Sequence, residues 1–492
     1  MGLKHETLKF SFVTFLAILF GFIFHILLGR TFGISWQLDS FFVSLTFFGL
    51  LSGANYLFIH LFTPIFNEIK QKDPKESIIF IDIVLKWVLF MAVIIVLVSI
   101  IFNEAIVKFL APGFDMKRAA ITQEMNSILL FALIFFAASN VGIFALNAVY
   151  SYTIPGLASL FDPLLNISAL FLIVPRLGIK GIAISYLLSN ILKAFFILAY
   201  LYKKVGWRPT RYFYHHRLPE LIYKSSQVGL SAFIWSLREV LARNIASRMG
   251  EGAVAIYSYA EKITSTIIQV VNNSIAKVFF SRVSEWLALA RWDHIRDLFI
   301  RAQRINIFFS FSIVAILLSF LTPFLSILFL DSKFTSGNIR EISVILNVLL
   351  IYFVVSTFEI YFSRLIYAMK KIKVIVANSI FGIIVFIVAA ALLSRKIGVY
   401  GLAAAMAFSQ IVTCMFYYLA IRKNLHINLI NIILYVRRSF FISTSLAFLG
   451  IWANSIVKNV RIELLIVLPI WLCLYFILVR IFLKKEMHIL FD

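Results

Sequence analysis

Charged residues are scarce in this chain of 492 residues: they make up 14% of it, whereas hydrophobic residues make up 62%. Soluble globular proteins carry about 25% charged residues. A membrane-spanning helix needs about 20 apolar residues, and stretches of that length recur along the whole chain. Between them there is no room for a soluble domain of ordinary size. The sequence therefore predicts an all-α polytopic membrane protein.

Cysteine is nearly absent as well. The two cysteines, Cys414 and Cys473, both lie inside apolar stretches and far from any histidine or second cysteine. This pattern indicates neither a disulfide framework nor a cysteine-based metal site. We expect no metal and no cofactor.

The longest loop predicted outside the membrane carries no pair of carboxylates. This loop, near residues 103–125, carries Glu104, Asp115 and Glu124 without a paired pattern. A membrane glycosyltransferase or polymerase would need catalytic carboxylates in such a loop. The sequence therefore favours a non-enzymatic function over this alternative.

The apolar stretches predict about fourteen transmembrane helices joined by short loops. The first stretch, Phe10–Leu28, is too long for a signal peptide and lacks a cleavage site, so we interpret it as a retained helix. The predicted spans lie near residues 9–29, 38–62, 80–102, 126–149, 155–175, 181–201, 222–247, 253–280, 305–329, 342–367, 374–393, 399–421, 436–456 and 463–483.

Basic residues outnumber acidic ones by 46 to 23, which gives a formal net charge of +23. With the N-terminus placed inside, the inner loops hold about twice as many lysines and arginines as the outer loops. The richest loop, 203–221, falls inside. This bias explains most of the charge without a nucleic-acid partner, and it predicts a bacterial inner membrane protein with both termini in the cytoplasm.

The chain also repeats itself. The segment Gly178–Ala183 recurs as Gly398–Ala403, and Gly33 recurs as Gly250. We therefore predict two six-helix lobes, at 1–202 and 222–421, linked by the basic loop 203–221 and followed by two additional helices within 422–492. An even number of helices per lobe makes this a parallel repeat, and transporters of that kind bind substrate at the interface of the two repeats.

Ionisable residues inside a membrane span are costly and should face protein or water. The seventh predicted span carries Arg238, Glu239 and Arg243, and the eighth carries Glu261 and Lys262. The cations outnumber the acids, which favours a cleft that binds an anionic headgroup through Arg238, Arg243 and Lys262. An ion-pair lattice that locks the two helices together is the alternative, with Glu239 and Glu261 in supporting roles.

The other charged candidates lie near the ends and bends of spans. Arg30 and Asp39, at the outer ends of the first two spans, are candidate substrate-binding residues. They could pair with each other across the short loop, or Arg30 could be an interfacial anchor. His25 is either a proton-coupling group or a buried hydrogen-bonded ring. Asp162, beside the helix-breaking Pro163, could coordinate a cation or a sugar hydroxyl, or could simply cap a kink.

One further pair lies in the tenth span. Glu359 and Arg364 sit toward the predicted cytoplasmic end of this span, where we interpret them as a gate or coupling pair.

Four motifs in order resemble one family. They are Gly29–Gly33 with Leu38–Phe42, Leu110–Phe114, Ile154–Gly156 with Pro163–Ile167, and Ala255–Lys262. They resemble the first-to-second helix segment, the loop after the third helix, the fifth helix and the eighth helix of the MurJ-type lipid II flippases. That family belongs to the multidrug/oligosaccharidyl-lipid/polysaccharide exporter superfamily. The resemblance covers the first twelve helices, and the extra helical pair also fits this branch.

The resemblance implies alternating access between two lobes, driven by an ion gradient or by the membrane potential. It implies a saccharide on a polyprenyl diphosphate as substrate, with membrane lipids around it and a lipid-tail groove in the last two helices. Arginine and lysine suit that diphosphate because they pair strongly with phosphate oxygens.

This chain departs from the family in its first two helices. The family carries arginines there, whereas here Gly21 and Phe22 are followed by Ile23–His25, and the second helix reads Leu51–Asn55. The positive charge is found instead on the seventh helix. A lipid II-like precursor and a surface-polysaccharide repeat unit, of the O-antigen or capsule type, therefore both stay open as substrates. A drug/cation antiporter is the remaining alternative, although its cavity should favour acids over arginines.

Overall fold

The computed structural model describes residues 3–59, 61–289, 291–329, 333–425, 430–457 and 462–482. Helices dominate these ranges, and no β-strand occurs within them. The helices are α1 (Leu3–Phe32), α2 (Trp36–Ile59), α3 (Phe62–Lys72), α4 (Pro74–Ile101), α5 (Asn103–Leu110), α6 (Met116–Ala148), α7 (Thr153–Ala158), α8 (Phe161–Leu172), α9 (Val174–Leu177), α10 (Lys180–Val205), α11 (Leu218–Ser247), α12 (Ala253–Ala288), α13 (Trp292–Phe329), α14 (Ser336–Ala368), α15 (Ile372–Ile397), α16 (Val399–Leu425), α17 (Ile430–Ile456) and, after a π-helical turn at Glu463–Val467, α18 (Leu468–Phe482).

Nine spans in the described part of the chain are long and apolar enough to cross a membrane. They correspond to α1, α4, α6, α7 with α8, α10, α13, α14, α15 and α16. The remaining five predicted spans fall on α2, α11, α12, α17 and α18. The prediction of an all-α polytopic membrane protein is confirmed, and fourteen spans are consistent with this arrangement.

The fifth predicted span is interrupted, although the break lies just before Asp162 and Pro163 and not at them. The chain forms two short helices there, α7 and α8, and Ser159 and Leu160 lie between them. Pro163 lies in the first turn of α8. A proline is tolerated there because the N–H groups of the first turn have no partner inside the helix.

Some helices do not follow from the pattern of apolar stretches, and α3 is the clearest example. Its buried side chains Phe62, Ile65, Phe66 and Ile69 follow the spacing of one helix face. This apolar face packs in the core of the first unit, whereas Lys70 and Lys72 end the helix.

The chain forms two compact units, Met1–Ala255 and Ile256–Asp492. In the first unit, α3, α4, α6 and α10 share one apolar core. In the second, α13 and α14 share a core with α17 and α18. The indole N–H of Trp471 on α18 donates to the Leu446 carbonyl at 2.9 Å, and the Ser443 hydroxyl donates to the Phe311 carbonyl at 2.9 Å. These bonds fix the two C-terminal helices within their own unit.

The internal repeat is visible in backbone geometry. Gly178 and Gly398 each end a helix with φ 59°, and their ψ angles are −147° and −137°. Only glycine adopts this conformation without strain. Three residues after each of them, Gly181 and Gly401 lie in the first turn of the next helix. Each of these two glycines closely approaches the backbone of the segment before it, at Ile173 and at Leu393 respectively. A Cβ atom at Gly181 would lie 3.2 Å from the Ile173 carbonyl carbon.

At Gly401 the approach is closer still, which leads to a prediction. An added Cβ would lie 2.4 Å from the carbonyl carbon of Leu393, so Gly401→Ala should force the two helices apart. We expect a loss of about 1–3 kcal/mol in the free energy of unfolding.

Gly21→Ala on α1 is the matched control, because a Cβ atom added there would lie more than 4 Å from the other described residues, its own turn of helix backbone aside. Alanine has the higher helix propensity, so this variant should be neutral or slightly stabilising. Thermal unfolding of the two purified variants in detergent measures the difference. Equal melting temperatures would contradict the close approach at Gly401.

Candidate functional site

The buried arginines of α11 are the main feature of the first unit. This helix begins with Pro219 and Glu220 in its first turn, which suits a helix N-terminus. Arg238 is 2% exposed and Arg243 is 7% exposed. The Arg238 guanidinium lies over the Trp235 ring, 3.8 Å from its centroid. Such stacking orients a planar guanidinium and leaves its N–H groups at the edge to donate hydrogen bonds.

Glu239 and Arg243 lie one helical turn apart on α11. The Glu239 side chain is exposed, whereas Arg243 is buried and its Nη1 donates to the Glu239 carbonyl at 3.3 Å. Because Arg243 bonds the backbone of its own helix, its charge is held at a fixed place on α11. Its predicted binding role, and the supporting role of Glu239, stay predictions.

Asp39 lies at the start of α2 and is fully buried. Its carboxylate accepts hydrogen bonds from the backbone N–H groups of Gly252, at 2.6 Å, and Ala255, at 2.8 Å. Arg118 Nη1 lies 3.8 Å from the same carboxylate. The first N–H groups of a helix lack partners within it, so Asp39 caps the start of α12. The structure therefore gives Asp39 a positioning role in the first unit.

Arg118 also bonds the acid that starts α6. Its Nε lies 2.9 Å from the Asp115 carboxylate, which accepts the Arg118 backbone N–H as well. These hydrogen bonds hold the pKa of the Asp115 carboxyl below its usual range.

Arg30 and His25 are both on α1 but in different environments. Arg30 lies in the last turn and is exposed. His25 is buried, and its ring lies 5.2 Å from the Phe24 ring and 6.5 Å from the Phe42 ring on α2. Arg30 is therefore accessible at the end of α1, whereas His25 is enclosed by aromatic rings in the interior of the unit.

Asp162 in the first turn of α8 has a partner that the sequence does not indicate. Its carboxylate lies 2.5 Å from Lys193 Nζ and accepts the Ser189 hydroxyl at 2.7 Å, both on α10. The Lys193 ammonium also lies 5.9 Å from the centroid of the Phe136 ring on α6. An ion pair of this kind ties α8 to α10 inside the first unit.

In the second unit, Glu261 and Lys262 are half-buried on α12. The Lys262 carbonyl accepts the hydroxyls of Ser265, at 2.9 Å, and Thr266, at 2.8 Å. The lysine position that matches the eighth-helix motif is therefore part of a regular helix with polar side chains one turn further on.

Glu359 and Arg364 are both half-buried on α14. The Gln410 side chain on α16 donates a hydrogen bond to the Glu359 carboxylate. Within the described ranges, the Nε atom of Arg364 is buried and has no hydrogen-bond partner. Glu359 thus links α14 to α16, and its part in a gate with Arg364 stays a prediction.

The fold is that of a known class of membrane transporter. The structure superposes on an inward-facing multidrug resistance MATE family transporter of the MOP superfamily with a TM-score of 0.70 at 18% identity, covering 85% of this chain and 98% of that one. It superposes on lipid II flippase MurJ in an inward closed conformation with a TM-score of 0.81 at 19% identity, covering 97% of this chain and 99% of that one. The second likeness includes nearly the whole chain.

Comparison of the amino-acid sequence with known families identifies the family of this chain. The family model of the lipid II flippase MurJ matches residues 28–469, so the chain belongs to that family. A probable lipid II flippase MurJ of Buchnera aphidicola subsp. Schizaphis graminum is 24% identical over 350 residues, which is 69% of this chain and 68% of the relative. The lipid II flippase MurJ of Burkholderia cenocepacia is 23% identical over 369 residues, covering 70% and 69% of the two chains. The predicted family is confirmed.

Proposed function

We propose that this protein translocates a polyprenyl-diphosphate-linked saccharide, a lipid II-like cell-wall precursor, from the cytoplasmic to the outer leaflet by alternating access. The observation that carries the proposal is the pair of buried arginines on α11 in a chain of this family. A diphosphate is a strong partner for arginine, because the planar guanidinium donates two parallel hydrogen bonds to phosphate oxygens.

We assign Arg238 and Arg243 to the headgroup, with Lys262 as a third cation. Arg238 is the first choice, since Trp235 holds its guanidinium in a fixed plane. Arg30, exposed at the end of α1, is proposed to meet the headgroup at the membrane surface. Asp39 is proposed to support substrate binding by fixing the backbone of Gly252 and Ala255 within the first unit.

A surface-polysaccharide repeat unit, of the O-antigen or capsule type, is the second candidate substrate. Two departures from the family favour it. The second helix reads Leu51–Asn55 where the family has arginines, and the first helix has Ile23, Phe24 and His25 after Gly21 and Phe22. The two substrates share the polyprenyl diphosphate and differ in the sugar, so the α11 arginines fit either one. A drug/cation antiporter is disfavoured by those same cations.

Both termini are proposed to lie in the cytoplasm, since the basic loops then face inward as the positive-inside rule requires. Transport is proposed to be coupled to an ion or to the membrane potential. Glu359 is our candidate coupling acid because its carboxylate joins two helices of the second unit, through Gln410 on α16. Protonation would turn this acceptor into a donor and weaken that link.

A reconstituted vesicle assay tests the function. The purified protein is inserted into vesicles that contain fluorescent lipid II, and the fraction of lipid that becomes accessible to an added reagent is followed over time. We expect translocation above that of protein-free vesicles, with imposed pH, sodium or potential gradients identifying the coupling. Vesicles with a polyprenyl-linked polysaccharide unit compare the two substrates. Failure of both lipids to cross, beside transport of a cationic drug, would contradict the proposal.

A further inference from the structure

The loop between α10 and α11 is held against α4. The Asp82 carboxylate on α4 accepts hydrogen bonds from the Thr210 backbone N–H, at 2.8 Å, and from its hydroxyl, at 2.6 Å. The Trp87 indole N–H donates to the Phe213 carbonyl at 2.9 Å. Lys86 reaches the Tyr212 carbonyl at 3.0 Å. The loop, at residues 206–217, therefore has a defined path along the third and fourth turns of α4.

Next to these contacts, three metal-ligating side chains converge. Glu76 lies in the first turn of α4, and its Oε1 is 3.0 Å from His215 Nε2 and 3.9 Å from His216 Nδ1. The two imidazole rings stack with their centroids 4.5 Å apart. All three ligand atoms lie within 4.8 Å of one another. Among the residues that the structure describes, Glu76, His215 and His216 are the one group of three histidine, cysteine, aspartate or glutamate side chains that lie close enough together to hold a metal ion.

The spacing suits a tetrahedral metal site. Zinc binds histidine nitrogen and carboxylate oxygen at about 2.0–2.2 Å, so neighbouring ligand atoms of a tetrahedral site lie about 3.4 Å apart. The distances from Glu76 Oε1 to His215 Nε2, 3.0 Å, and to His216 Nδ1, 3.9 Å, fall on either side of this value. Two imidazoles and one carboxylate are a donor set that Zn²⁺ and the neighbouring transition metals favour, whereas Mg²⁺ and Ca²⁺ favour oxygen ligands alone.

The His215 ring is fixed in place. It packs edge to face with the Phe80 ring, and the two ring centroids lie 4.9 Å apart. The nearby cation Arg217 is paired with Glu220, at 2.9 Å, and with Glu68.

Two hydrogen bonds of His215 must change when a metal binds. The Arg217 backbone N–H donates to His215 Nδ1 at 3.0 Å, so the imidazole proton lies on Nε2 and is donated to Glu76. A metal between Nε2 and Glu76 replaces the bond to Glu76 and requires that proton to move to Nδ1, so the Arg217 amide loses its acceptor as well. The loss of these two hydrogen bonds is small beside three metal–ligand bonds.

We propose that Glu76, His215 and His216 form a binding site for a divalent transition-metal cation of the Zn²⁺ class, with water as the fourth ligand. The bound ion fastens the 206–217 loop to α4. Because this loop leads directly into α11, which carries Arg238 and Arg243, the metal stabilises the position from which that helix starts. The site is separate from the proposed substrate residues and does not depend on the identity of the lipid.

The test uses the full-length protein, purified without a polyhistidine tag and freed of metal with a chelator. Calorimetric titration with ZnCl₂ should show one saturable site, and Zn²⁺ should raise the melting temperature. Titration with CoCl₂ should give the intense visible absorption of tetrahedral cobalt. Each of the variants Glu76→Gln and His216→Gln should lose at least tenfold in affinity and lose the cobalt spectrum.

His294→Gln is the matched control, since His294 is likewise exposed but lies on α13, away from Glu76. His216 is 71% exposed on its side chain, so His216→Gln should fold normally, and size-exclusion chromatography verifies this. The absence of saturable binding in the unmodified protein would overturn the proposal. So would binding that persists unchanged in both Glu76→Gln and His216→Gln.

Discussion

Replacing Arg238 with alanine should abolish translocation of the lipid-linked saccharide while leaving the protein folded. Arg238 is buried and its guanidinium is stacked on Trp235, so it can offer a diphosphate two hydrogen bonds without losing conformational freedom. Hydrogen bonds to charged groups contribute about 1.5–3 kcal/mol each, so the loss of one alone lowers affinity roughly tenfold or more. Arg238→Lys should be intermediate, since it keeps the charge but loses the planar fork.

Arg248→Ala is the matched control for this prediction. Arg248 lies at the C-terminal end of the same helix and is exposed, so its removal should leave transport close to that of the unmodified protein. The vesicle assay measures all three variants, and size-exclusion chromatography checks that each is folded. Normal translocation by Arg238→Ala would remove Arg238 from the substrate site.

Replacing Lys193 with methionine should strongly destabilise the first unit. The variant leaves the Asp162 carboxylate without its counter-ion, and removing one partner of a buried pair costs about 3–5 kcal/mol. The Asp162 side chain is 33% exposed, so we expect a value near the lower end of that range. The double variant Lys193→Met with Asp162→Asn should recover much of the loss, because no uncompensated charge then remains.

A second lysine provides the control. Lys180 pairs with Glu124, but the two side chains are 39% and 53% exposed. Exposed ion pairs contribute about 0–1 kcal/mol, so Lys180→Met should change the melting temperature little. Thermal unfolding in detergent compares the four proteins. The buried-pair assignment fails if Lys193→Met is as mild as Lys180→Met, or if the double variant shows no recovery.

Much of the fold follows from the sequence, because a membrane leaves few alternatives. A run of about 20 apolar residues must form a helix there, since every backbone N–H and carbonyl needs a partner within the segment. The repeat could be predicted for a related reason. Gly178 and Gly398 adopt a conformation that other residues avoid, so the two positions show the same residue at the same place in each half.

Contacts between distant helices could not be predicted in the same way. The sequence places Asp162 beside a helix break but contains no signal that Lys193, on α10, is its partner. Asp39 is a similar case, since its role depends on the backbone of Gly252 and Ala255 lying against the start of α2. Such pairings depend on how the helices pack, and periodicity within a single helix does not encode them.

The loop 206–217 shows the same limit. Its arginines stand out in the sequence, and the positive-inside rule alone is enough to explain them. His215 and His216 lie within that loop, and an adjacent pair of histidines is a weak signal by itself. Their significance depends on Glu76, which is 139 residues away from His215 in the chain and 3.0 Å away in the structure.

Native mass spectrometry tests the central claim most directly. The protein is purified gently from its own membranes, beside the Arg238→Ala variant, and the lipids that remain bound are weighed. We predict a bound polyprenyl-diphosphate lipid that is lost in the variant, and its mass separates lipid II from a surface-polysaccharide unit. The absence of any such lipid from the unmodified protein, with small cations or drugs raising its stability instead, would contradict the flippase assignment.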